Sequence, residues 1–196
     1  EARKEANQRI NSFSASFTYD QARQEFLSGQ FERAEKTIAM AIEQAPDFAK
    51  YRVLQGRIFL ETNRLQEAID ALEIAQEKDP ELPETHYYKA IIFQRWSRDH
   101  EAYDSYRAAF ELEPTNEQYL LATVEALIIL DRLDEAQTLV EERLDYFEHN
   151  PALRHVLASI AQLQGDHARA TKLLKEACLL DPDADQVPDR ELPRRG

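Results

Sequence analysis

The chain is poor in the features from which most small-molecule sites are built. Its 196 residues include one cysteine, Cys178, so no intramolecular disulfide can form and nothing in the sequence requires an oxidising compartment. Cytoplasm and periplasm are both compatible with such a chain. Its four glycines, Gly29, Gly56, Gly165 and Gly196, leave no glycine-rich loop to cradle a phosphate. The longest uncharged apolar stretch, Ala126 to Leu130, is far below the roughly 20 residues that span a bilayer. Bases are scarce: 24 Lys and Arg stand against 37 acids, for a net charge of −13. Nucleic acid binding draws its affinity from phosphate neutralisation, so no nucleic acid partner is expected. No two of His86, His100, His149, His155 and His167 lie four residues apart, and no metal or other cofactor is expected. The first residue is Glu1 rather than Met, which leaves room for a signal peptide or anchoring helix upstream.

What the chain does have is a period. Alanine recurs at Ala34, Ala68, Ala102, Ala136 and Ala170, always 34 residues apart. Proline keeps the same interval at Pro46, Pro80 and Pro114, and a second alanine series runs through Ala41, Ala75, Ala109 and Ala177. A 34-residue period marks a stack of helix–turn–helix units. With proline as position 32, the units fall at 15–48, 49–82, 83–116, 117–150 and 151–184, preceded by an arm or leading helix (1–14). A polar tail with two prolines (185–196) reads as disordered. Within each first helix, position 8 holds Ala22, Gly56, Ala90, Val124 or Ala158, mostly small, where one helix must approach its partner. The two alanine series are seven residues apart, two helical turns, and share one stripe of the second helix. Gly29, Asn63, Asp131 and Gly165 occupy the slot between helices, residue types that tolerate a left-handed backbone.

Small residues at position 8, Ala at 20 and 27, apolar or aromatic residues at 11 and 24 (Phe59, Phe93, Leu127; Ile38, Leu72, Tyr106, Val140, Leu174) and Pro at 32 together resemble the tetratricopeptide repeat. The resemblance covers residues 15–184. It implies an all-α fold, a right-handed superhelix of helix-turn-helix units, or α-α solenoid. Position 4 departs from the family pattern, with Thr18, Arg52, His86, Leu120 and Arg154 in place of an aromatic. The fourth unit departs further. Arg143 stands where Ala is usual, and the proline has moved to Pro151, the first residue of the next helix, where Asn150 can cap. The helix before Pro151 is expected to run long.

No catalytic constellation emerges. Ser97, Asp99 and His100 cluster in the third turn, where Ser and Asp serve turn geometry in any case. Cys178 falls at position 28, shared with Ile42, Phe110 and Leu144, and is expected in the core as a small hydrophobe. Trp96 has the helical phase of a core residue. The chain is therefore expected to be noncatalytic.

The resemblance also implies a binding face, because tetratricopeptide arrays line their inner surface with positions 2, 5, 9, 12 and 13 of each first helix. Here these include Tyr19, Arg23 and Phe26; Lys50 and Arg57; Tyr87, Ile91, Gln94 and Arg95; and Leu121, Glu125 and Ile128. Tyr and Arg are the types enriched at binding hot spots. Family co-chaperones clamp a terminal carboxylate with Lys and Asn, but the corresponding slots hold Tyr19, Arg23 and Arg57 and no Asn. An acidic or aromatic peptide, or a partner helix, is the expected ligand of an interaction scaffold. The alternative is a regulatory or substrate-docking arm of a larger enzyme, or a part of a cell-envelope assembly. Leu173, Leu174, Leu179 and Leu180 on the last helix are followed only by the polar tail, so weak self-association through the C-terminal repeat is also expected.

Overall fold

Five residues with positive φ punctuate the chain at the same 34-residue interval: Gly29, Asn63, Ser97, Asp131 and Gly165, with φ of 74°, 60°, 56°, 58° and 82°. Each ends a helix in the same way. In the first turn the Gly29 N–H donates to the Phe26 carbonyl at 3.0 Å and the Gln30 N–H to that of Glu25 at 2.9 Å. This crossed pair satisfies carbonyls that the helix end would otherwise leave open. Ser97, which the sequence assigned only generally to a turn, completes the series.

The structure is a computed structural model that describes residues 2–147 and 150–180, with side chains from residue 13 onward; the tail 185–196 lies outside the described residues. Ten α-helices occur among them, and no strand: α1 (Ala2–Leu27), α2 (Phe31–Gln44), α3 (Ala49–Glu61), α4 (Leu65–Lys78), α5 (Pro83–Arg95), α6 (Asp99–Leu112), α7 (Glu117–Ile129), α8 (Leu133–Glu141), α9 (Pro151–Leu163) and α10 (His167–Leu180). The chain divides into two compact units, Glu1–Ala126 and Leu127–Gly196.

In the first unit α1 packs on α2, α3 on α4 and α5 on α6, while α2 meets α3 and α4 meets α5. The close contacts fall where the small residues are. Ala22, Ala34, Ala41, Ala68, Ala75, Ala90 and Ala109 are fully buried. At Gly56 a Cβ would lie 2.9 Å from the Leu72 Cγ and 3.2 Å from the Ala68 carbonyl oxygen. A hydrogen is all that fits between α3 and α4 there. Residues 2–14 continue directly into the first helix of the array, so α1 is one helix of 26 residues.

A repeated ion pair, unnoticed in the sequence, follows the turns. Arg64, Arg98 and Arg132 each precede a second helix and pair with Glu67, Glu101 and Glu135, three residues on. Arg64 also reaches Glu35 of the preceding pair at 2.8 Å and covers the Phe59 ring, 4.3 Å from its centroid. The guanidinium partners hold the three carboxyls below the usual glutamate range.

In the second unit α9 packs on α10 and against α8. The Asn150 side chain accepts from the Ala152 N–H at 2.8 Å, capping α9 with Pro151 at its start. The helix before it is short rather than long: α8 has 9 residues, where α2, α4, α6 and α10 have 14. Past Glu142 the backbone tightens, with the Arg143 N–H donating to Val140 O at 3.0 Å and the Leu144 N–H to Glu141 O at 3.3 Å, a three-residue spacing. Ala41, Ala75, Ala109 and Ala177 are fully buried in the equivalent slot. Arg143 stands half-buried in that slot, and α8 ends before it.

Candidate peptide-binding face

The first helices α1, α3 and α5 place the expected binding residues of the first unit side by side. At the α1/α3 end Tyr19 is half-buried and stacks on Tyr51 with ring centroids 4.9 Å apart, and Tyr51 stacks in turn on the exposed Phe48 at 5.3 Å. Arg57, projecting from α3, lies between two rings: its guanidinium carbon is 4.7 Å from the Phe26 centroid of α1 and 4.9 Å from that of Tyr88 on α5. No carboxylate among the described residues forms an ion pair with it, so the cation is oriented by aromatic faces and keeps its donors for another group. Arg23 and Lys50 are exposed nearby on α1 and α3.

On α5 the expectations divide. Tyr87 sits among tyrosines, with centroids 5.3 Å from Tyr88, 5.6 Å from Tyr106 and 5.2 Å from Tyr119. Its hydroxyl accepts from the Gln118 amide at 2.8 Å. Gln94 accepts from the Tyr106 hydroxyl at 3.1 Å, and Ile91 packs into the core. These three hold the helices together. Arg95 is exposed, but its guanidinium donates at 3.1 Å to the Leu60 carbonyl near the end of α3, where it complements the open carbonyls of that helix. Leu121 is half-buried and Glu125 exposed on α7; Ile128, half-buried, belongs to the second unit.

Tyr88, Tyr119, Phe48 and Tyr51 escaped the positional rule because they stand outside positions 2, 5, 9, 12 and 13. The adjacent pair Tyr87–Tyr88 was the available signal: neighbours on a helix point about 100° apart, so two tyrosines together line two faces. Cys178 is exposed rather than buried, for no described helix covers α10 as α3 covers α2. Trp96 is half-buried against the core beside Phe93. Among the described residues no cluster of His, Cys, Asp and Glu could hold a metal ion, and no helix is long and apolar enough to cross a membrane.

Burial pushes the phenols of Tyr19, Tyr51, Tyr88, Tyr106 and Tyr119 above their ordinary value near 10. At Tyr19 the charges of Arg23 and Arg57 oppose that rise, while Glu84 adds to it at Tyr19, Tyr88 and Tyr119. The face thus carries cations at its α1/α3 end and an acid, Glu84, near its tyrosines. The raised phenols set an alkaline limit. Unfolded tyrosines ionise near pH 10 while these stay protonated, so their contribution to stability is whole below about pH 10 and falls above it. The urea midpoint should therefore fall as pH rises above about 10, and Tyr106→Phe should make that fall shallower.

Residues 19–83 match the family model described as tetratricopeptide repeat. That segment is built of tetratricopeptide repeats. The helical solenoid of the chain is shared with a crystal structure of MamA protein, at a TM-score of 0.72 and 14% identity over 91% of this chain and 98% of that one. YrrB, described as a tetratricopeptide-repeat protein with an unusual peptide-binding site, matches at a TM-score of 0.69 and 18% identity, over 94% and 95% of the two chains. PilF of Pseudomonas aeruginosa matches at 0.75 and 14% identity, over 86% of this chain and 77% of its own. No curated protein matches in sequence. At such identities the likeness concerns the fold, and the tetratricopeptide pattern rests on the helix-pair contacts described above.

Proposed function

We propose that this tetratricopeptide array is a noncatalytic protein-interaction scaffold, binding an acidic, aromatic-bearing segment of another protein across α1, α3 and α5. The supporting observation is the Arg57 guanidinium, held between Phe26 and Tyr88 with no ion pair to an acid among the described residues. A carboxylate of the ligand pairs with Arg57, assisted by Arg23 and Lys50, and a ligand ring rests on the Tyr19, Tyr51 and Phe48 stack. A tetratricopeptide-repeat protein of the same fold, YrrB, is described as having a peptide-binding site, which adds support for this class of ligand.

The test uses a fluorescein-labelled peptide of alternating Glu and Phe, titrated with the chain and read by anisotropy. Arg57→Ala should weaken binding by roughly tenfold or more, the effect of removing a central hot-spot arginine, without lowering helicity. The affinity of the unsubstituted chain should fall as salt is raised. Equal affinity for Arg57→Ala and the unsubstituted chain would remove the basis of the reading.

A further inference from the structure

Each first helix after α1 buries the side chain at its third repeat position. That position reads Tyr51, Thr85, Tyr119 and Leu153, all at most 6% exposed. In the first junction, Tyr51 shares a cluster with Ile38 and Ile42 of α2, together with Leu54 and Ile58 from its own helix. The equivalent residue of α1 is Phe17, and it is 71% exposed, with Phe13 one turn earlier at 82%. The surface that receives such a side chain also has a copy that no described helix covers. Ile38 and Ile42 of α2 correspond to Leu174 and Cys178 of α10. There Leu174 and Cys178 line an open, mainly apolar groove with Thr171, Lys175 and Leu179. Ile42 is 7% exposed, whereas Cys178 is exposed.

We propose that the groove on α10 receives the Phe17 face of α1 from a second copy of the chain, head to tail. The contact repeats, between molecules, the junction that α2 and α3 form within one. The two surfaces are complementary in charge as well as in register: Asp20 is the acid on the Phe17 face, and Lys175 is the cation of the groove. The association is weak. Where the first junction adds Leu54 and Ile58 beside its inserted Tyr51, α1 offers Asp20 and Gln24 beside Phe17, so one apolar knob serves in place of three. Because the two faces differ, the contact is heterologous, and an unmodified copy keeps one free face of each kind after pairing.

Both key side chains are exposed, so substituting them leaves the fold intact, and unchanged far-ultraviolet circular dichroism verifies it. Sedimentation equilibrium of the full chain in reductant, which removes any Cys178 disulfide, should show the average mass rising with concentration. Phe17→Lys and Cys178→Lys should each stay monomeric. Mixed in equal amounts they should associate again, since one keeps the groove and the other the Phe17 face, and the mass should stop at twice the monomer. Arg57→Ala should associate like the unsubstituted chain, which separates this contact from the peptide-binding reading. A chain monomeric at every concentration, a self-associating Phe17→Lys variant, or a mixture that stays monomeric would each overturn the proposal. The first result, combined with association of a chain ending at Leu180, would assign the groove to residues 181–196 instead.

Discussion

Replacing Ala68 by Leu should lower the unfolding free energy of the first unit by about 1–3 kcal/mol, the usual cost of forcing extra methylenes into a filled contact. Ala68 is fully buried on α4, and its carbonyl oxygen lies 3.2 Å from where a Cβ on Gly56 would stand. The added isopropyl group enters a contact that is already fully buried, so α3 and α4 must separate or the side chain must leave its rotamer. Ala102, 2% exposed on α6, should respond in the same direction. Ala168, exposed on α10, provides the control and should tolerate Leu with little change. Urea denaturation checks all three: the midpoint should fall for the buried pair at an unchanged slope. Unaltered midpoints for both Ala68→Leu and Ala102→Leu would contradict the assigned helix contact.

The second large effect is at Leu72, which is fully buried and packs in the cluster that joins α4 to Leu82 and Ile92 beyond it. Leu72→Ala should cost about 2–5 kcal/mol, the transfer term plus the cavity it leaves. Gly56→Ala alone should also destabilise. A gain in helix propensity of about 1 kcal/mol is outweighed by a Cβ placed 2.9 Å from the Leu72 Cγ. In the double variant the new methyl occupies part of the space that Leu72 vacates. The two costs should therefore fall short of additivity, with a coupling energy of roughly 0.5–3 kcal/mol. Additive losses would show that the Gly56 contact with Leu72 is not tight.

The turns and the close contacts were legible in the sequence because they are local or strictly periodic. A residue that ends a helix with positive φ must be Gly or a short polar side chain, and a position where helices touch must be small. Gly29, Asn63, Asp131 and Gly165, together with the alanine series, announce themselves on those grounds. The proposed binding face was legible only in part. Arg57 and Tyr19 stand where the repeat pattern puts them, but Tyr88 and Tyr119 come from other positions, and Gln94 and Arg95 are engaged with Tyr106 and Leu60. Position along a helix sets the direction of a side chain, whereas the neighbouring helix decides what it meets.

The 34-residue period by itself determined the helical solenoid, its turns and the small-residue contacts, because backbone sterics and helix separation leave few residue types acceptable at those slots. Tertiary structure decided the rest. It sandwiched Arg57 between two rings, gathered Tyr87, Tyr88, Tyr106 and Tyr119 across three helices, and ended α8 before Arg143. It also left Cys178 and Phe17 in solvent. The physical reason is common to all four: burial and pairing depend on which helix lies opposite, and a side chain in a repeating sequence is covered only when another helix is there to cover it.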